Sequence, residues 1–216
     1  MTIAKKTIFT VIFAITSIIT VPAFFKAIIH MFTHMYMYWW FLAGWVLYVI
    51  VAVLVFPQNI ELLQTLSHEC LHLDACLIML KKVDLMKVTS GNGGFITHEG
   101  KSNMFIKLAP YTIPAITIVL VLIQTMIPAK YIAFGIVVGF SFFFYIHSFA
   151  VQTRLYQDDI NNKEYGALLS ILYIITLLSF NLSICILAID MKFFKAVAFY
   201  FSDIWNTAVG LFSAIF

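Results

Sequence analysis

Six largely apolar stretches, each close to the length that crosses a bilayer, divide this chain and leave it few folds. They cover residues 7–25, 36–56, 59–80, 104–127, 131–151 and 165–189. About 20 helical residues, at 1.5 Å of rise each, span a hydrocarbon layer about 30 Å thick. Inside that layer the backbone must satisfy its own hydrogen bonds, and runs of this length do so as helices. Only 11% of the 216 residues are charged, against about 25% in soluble domains. That is too little charge to clothe a compact fold in water. The sequence therefore predicts an all-α polytopic membrane protein of about six transmembrane helices, built as one domain over residues 1–216.

The remaining features refine this picture. Lys5 and Lys6 precede the first run, and Val21-Pro22-Ala23 looks like a leader cleavage site. The run is nevertheless long enough to span, and we read it as an uncleaved first helix. Tyr38, Trp39 and Trp40 open the second run as an interfacial belt. The tail, residues 191–216, mixes Lys192, Lys195, Asp203 and Asn206 with aromatics, and reads as a seventh helix or one lying along the interface. A net charge of +3 without a basic stripe excludes nucleic acid as a partner. Three cysteines, Cys70, Cys76 and Cys185, with no CxxC pair, do not make a disulfide framework.

Residues 83–103 interrupt the apolar series. Val83-Asp84-Leu85-Met86-Lys87-Val88 alternates with the period of a strand, and Gly91-Asn92-Gly93-Gly94 supplies a turn back to Phe95-Ile96-Thr97. This predicts a small β-hairpin near residues 83–98. Pro110 and Pro114 should kink or break the helix that follows.

The chemistry sits in the third run, at His68-Glu69-Cys70-Leu71-His72. Four residues make about one helical turn, so both imidazoles face one metal ion. Glu69, about 100° further round the helix, can act on a metal-bound water rather than on the metal. Ionisable groups in a membrane helix cost roughly 2.5–3.5 kcal/mol each on the insertion scale. Three within five residues therefore point to a site. The bland alternative is a polar face that hydrogen-bonds to neighbouring helices.

A catalytic zinc takes three protein ligands. Glu61 shares the face of His68 but lies about 10.5 Å along the axis from it, and Asp74 points elsewhere. The candidates for the third ligand are Asp158, Asp159, His147, and His98 with Glu99. Runs four and five form an out-and-back pair, which returns the Gln157-Asp158-Asp159-Ile160 loop to the end of the molecule where residues 83–103 lie. His147 lies a turn or more earlier and is a ligand or a support to one. His30 and His34 read as interfacial. With the post-motif loop on the cytoplasmic side, Lys26, Lys81, Lys82, Lys87, Lys101, Lys107, Arg154 and Lys163 fall inside. Lys5, Lys6, Lys130, Lys192 and Lys195 fall outside.

An HExxH within a span, then a β-like stretch, a proline-broken helix and a later Asp, resembles the site-2 protease class of intramembrane metalloproteases, the M50 family. Small M50B-like bacterial members are the nearer likeness. Here His147, Gln157-Asp158-Asp159-Ile160, Gly166 and Leu108-Ala109-Pro110-Tyr111-Thr112-Ile113-Pro114 match that group's elements, over roughly residues 55–180. The resemblance implies a Zn2+ cofactor, Asp159 as third ligand, and Glu69 as general base. It also implies membrane-embedded protein or peptide substrates and a place in a bacterial cell membrane. Leu71 stands where the family's HELGH has glycine, and the Asn-Pro and Leu-Asp-Gly elements of larger members are absent. The competing expectations are a metal-binding transporter or sensor that uses the same histidines without Glu69 as base, and a structural membrane component that binds no metal.

Overall fold

A computed structural model of the chain describes residues 1–55, 57–89, 93–126, 132–154 and 157–215. Eight α-helices and one hairpin follow in order: α1 (Ile3–Thr33), α2 (Met35–Ile50), α3 (Pro57–Ile78), β1 (Val83–Thr89), β2 (Gly93–His98), α4 (Met104–Thr112), α5 (Ala115–Met126), α6 (Ile132–Gln152), α7 (Ala167–Asp190) and α8 (Phe193–Ile215). A π-helical turn, Val51–Val55, extends α2. The expected segment ends Phe56, Ile127 and Tyr131, the turn residues Gly91 and Asn92, and Lys130 lie outside the described residues.

Among the described residues four helices are long and apolar enough to cross a membrane: α1, α2, α6 and α7. A fifth crossing is α4 with α5, if that bent pair is one span. Six spans are thus not reached. The shortfall falls on α3, where Glu61, Glu69 and Asp74 dilute the apolar run. The pair α4–α5 is broken by 67° at Ile113-Pro114, where proline removes a backbone donor and the residue before it turns extended. The tail is a 23-residue helix, α8.

The core lies between α1, α7, α2 and α6. Ala23, Ala27, Tyr38, Phe41, Val138, Phe142 and Cys185 are buried together. Ser17 on α1 meets Thr176 on α7 at 2.9 Å, and the Tyr38 hydroxyl donates to the Ile186 carbonyl at 3.1 Å. Helices α2 and α6 run in the same sense. A Cβ added at Gly44 would strike Ile136 and Phe140, one at Gly139 would strike Phe41, and one at Gly135 would lie 3.0 Å from Trp40. Gly135 and Gly139 form the small-xxx-small spacing that lets helix backbones touch.

Helix α3 does not turn back on α2. Gln64 meets His147 and His68 meets Gln152, so α3 ascends with α6 where the two cross, as α2 does. The N-terminal lysines are also placed differently from expectation. A Cβ at Gly166 would lie 2.6 Å from Lys6 Nζ, which puts Lys6 at the motif end. Lys26 pairs with Asp203 at 2.7 Å, and His30 Nε2 meets Asp190 Oδ2 at 3.1 Å, at the opposite end. Nine basic residues (Lys5, Lys6, Lys81, Lys82, Lys87, Lys101, Lys107, Arg154 and Lys163) therefore share the motif end, against Lys26, Lys192 and Lys195 at the other.

The hairpin forms as the alternation predicts. Met86 pairs with Ile96 and Val88 with Gly94 in an antiparallel register. Gly94, Ile96 and His98 lie on its less exposed face, which packs on α3.

Candidate metal centre

His68 and His72 lie one turn apart on α3, and Asp159 comes to them from the loop after α6. One ligand atom from each falls within 4.8 Å of the others, the one such group among the described residues. His72 Nε2 stands 3.5 Å from Asp159 Oδ2. Two ligands bound at about 2.0–2.1 Å to one tetrahedral ion would be about 3.4 Å apart. Two imidazoles and a carboxylate are a donor set that could hold a divalent metal ion.

Both imidazoles are held for ligation through their other nitrogen. His68 Nδ1–H donates to Gln152 Oε1 at 3.1 Å, and His72 Nδ1–H donates to the Ile106 carbonyl at 2.7 Å. Each Nε2 therefore keeps its lone pair, and an acceptor behind each ring fixes tautomer and orientation. The Tyr111 ring meets the His68 ring edge-on at 5.1 Å.

Adjacent carboxylates on a tight turn diverge, and Ile160 decides which one reaches the histidines. Its side chain, 1% exposed, is locked among Leu108, Tyr111, Tyr173 and Ile174. Gln157 shapes the turn: its carbonyl accepts from the N–H groups of Ile160 and Asn161. Its side-chain Oε1 accepts from the Tyr111 hydroxyl at 3.0 Å and the Arg154 N–H at 3.2 Å. Asp159 thereby joins the group. Asp158 is exposed and lines the neighbouring cavity, and Gln157 positions the turn without reaching the group. Gly166, at φ +77°, closes the loop into α7.

His147 is not in the group. Its Nδ1 lies 2.6 Å from the Tyr48 hydroxyl and 3.1 Å from Gln64 Nε2, so it ties α6 to α2 and to α3 one turn before His68. His98 Nε2 is 2.6 Å from Ser102 Oγ, and Glu99 pairs with Lys82 at 3.1 Å. Neither is a member of the group.

Glu69 is 6% exposed. The hairpin lies directly on it: a Cβ at Gly94 would come within 2.6 Å of Glu69 Cγ. Two cavities, of about 380 and 360 Å³, flank this point, and Glu69, Gly94 and Asp159 line both. Sequence reasoning missed Gln152, Ile106 and Gly94. A lone amide ending an apolar helix is the one signal that pointed to Gln152; the other two act through their backbones. Compared with protein-family models, with curated proteins and with solved structures, the chain matches none.

Proposed function

We propose that this chain is an integral membrane zinc metallopeptidase, similar to the site-2 protease class, which hydrolyses peptide bonds of membrane-embedded substrates. The observation that carries this reading is the convergence of His68, His72 and Asp159 beside the buried carboxylate of Glu69. Zinc held by those three residues would polarise the scissile carbonyl and bring a water's pKa to about 7. Glu69 is placed to take that water's proton and deliver it to the leaving amine. Helical carbonyls are already bonded, so the substrate must unwind to react. The outer edge of β2, unpaired among the described residues, offers backbone groups to an unwound strand. A cavity on each side of Glu69 leaves room for chain both before and after the scissile bond, as internal cleavage requires.

In this reading α3 carries the site near the motif end without crossing the bilayer. The excess of basic residues at that end favours its facing the cytoplasm. The test is zinc per chain in detergent-purified protein. Wild type should hold about one ion, as a three-ligand site does. His72→Ala should hold none. A well-folded wild type without zinc would sink the proposal.

Gly94→Ala gives a second expectation. The methyl group must displace Glu69, whose side chain supplies the three atoms nearest to it. Cleavage should fall about 10²-fold, the loss that follows when a reacting group is misplaced by about 1 Å, with zinc content unchanged. Equal loss of zinc would show that the hairpin supports the ligands instead.

A further inference from the structure

The two cavities that flank Glu69 have different walls. Apart from Glu69 and the members of the metal-type group, the smaller is lined by Glu61, Gln64, Thr65, Gln152, Arg154 and Gln157, and Val151 is its one apolar side chain. The larger joins His98, Ser102, Lys107 and Asp158 to Cys76, Phe95, Ile96 and Ile106. The other face of α3 is the reverse of both. A groove of about 590 Å³ there is walled mainly by apolar side chains of α3, α5 and α6, and it holds none of His68, Glu69, His72 or Asp159.

Solvated charges also mark the reacting side. Lys82 and Glu99 pair at 3.1 Å at the base of the hairpin, and their side chains are 72% and 62% exposed. Asp158 is exposed in the wall of the larger cavity. Charges of this kind are costly in hydrocarbon, so they place the cavities at the aqueous boundary of the bilayer. The smaller cavity then selects by polarity. An apolar side chain entering it would strip water from amides and charges and return no hydrogen bond, whereas a hydrophilic one replaces the water. Glu61 lies about 10.5 Å along the α3 axis from His68, the reach of about three residues of extended chain. Taking the chain as the peptidase proposed above, we infer that its substrate is a membrane-anchored chain cut in a polar segment beside the anchor. For about three residues on the Glu61 side of the scissile bond the substrate must be hydrophilic; on the other side polar and apolar residues are both accepted.

The test uses zinc-loaded full-length protein in detergent and a library of peptides. Each peptide joins a leucine-rich transmembrane anchor to a short randomised juxtamembrane segment, and cut sites are read by mass spectrometry. Cuts should fall in the randomised segment. On one side of the cut Leu, Ile, Val and Phe should be depleted about tenfold, the effect of a polar group left unpaired, with no such depletion on the other side. The double variant Glu61→Leu, Thr65→Val removes two polar groups from the wall, neither of them in the metal-type group. It should relax the depletion to about threefold with zinc per chain unchanged. The same order of preference should appear when the peptides bind Glu69→Gln protein, read by fluorescence anisotropy. Cuts inside the anchor, equal selection on both sides, or a profile unmoved by the double variant would each overturn the polar-segment assignment and leave the peptidase reading standing. No cut in any peptide, with zinc bound, would sink the peptidase reading and the assignment together.

Discussion

Glu69→Gln should abolish peptide cleavage while leaving zinc in place. Glutamine keeps the shape of glutamate, so the packing of Gly94 over the side chain survives. What disappears is the ability to accept a proton, and loss of a positioned general base costs about 10²–10⁴-fold. His68, His72 and Asp159 do not depend on Glu69 for their hydrogen bonds, which run to Gln152 and Ile106 and through the Gln157 turn. Zinc per chain should therefore match wild type. The measurement is turnover of a transmembrane peptide in detergent or liposomes, with metal content determined on the same sample. A variant that loses cleavage and keeps zinc separates a hydrolase from a metal transporter or sensor, which would tolerate the change. Undiminished cleavage would remove Glu69 from the chemistry.

Gly139→Leu should cost more in folding than any single change at the metal centre. A side chain there runs into the Phe41 carbonyl, and Gly44 leaves no slack because its own Cβ would meet Ile136 and Phe140. The α2 and α6 backbones would have to separate along their whole contact. Overpacking of this kind costs about 3 kcal/mol or more, a large share of a total that is typically about 5–15 kcal/mol. The midpoint of thermal unfolding should drop by about 10 °C, and separation of α2 from α6 should loosen the Tyr48–His147–Gln64 contact beneath the site. Gly210→Leu is the control, because nothing lies within 4 Å of a Cβ there. Equal melting of the two variants would show that the close helix contact contributes little.

The sequence was most legible where local chemistry decides structure. Strand alternation located the hairpin, Pro114 located the break before α5, and the HExxH spacing located two of the three residues in the metal-type group. It was least legible where distant residues decide. Helix α1 runs eight residues beyond Phe25 because Lys26 and His30 find Asp203 and Asp190; a reading by apolarity stops at the first charge. The choice between Asp158 and Asp159 rested on the burial of Ile160 against Leu108 and Tyr173, a contact between three elements. Helix α3 resembled a crossing helix in length, but Glu61, Glu69 and Asp74 dilute its apolar run, and its direction is set by Gln64 and His68 on α6.

Asp159 is eighty-seven residues downstream of His72. A ribosome must therefore synthesise the hairpin, the broken helix and all of α6 before the last member of the group exists. A nascent or truncated chain ending before the Gln157 turn carries both histidines and Glu69 but lacks Asp159. Under the proposed function, late completion would be a safeguard written into chain order: the fragment would stay inert until the bundle that confines it has formed.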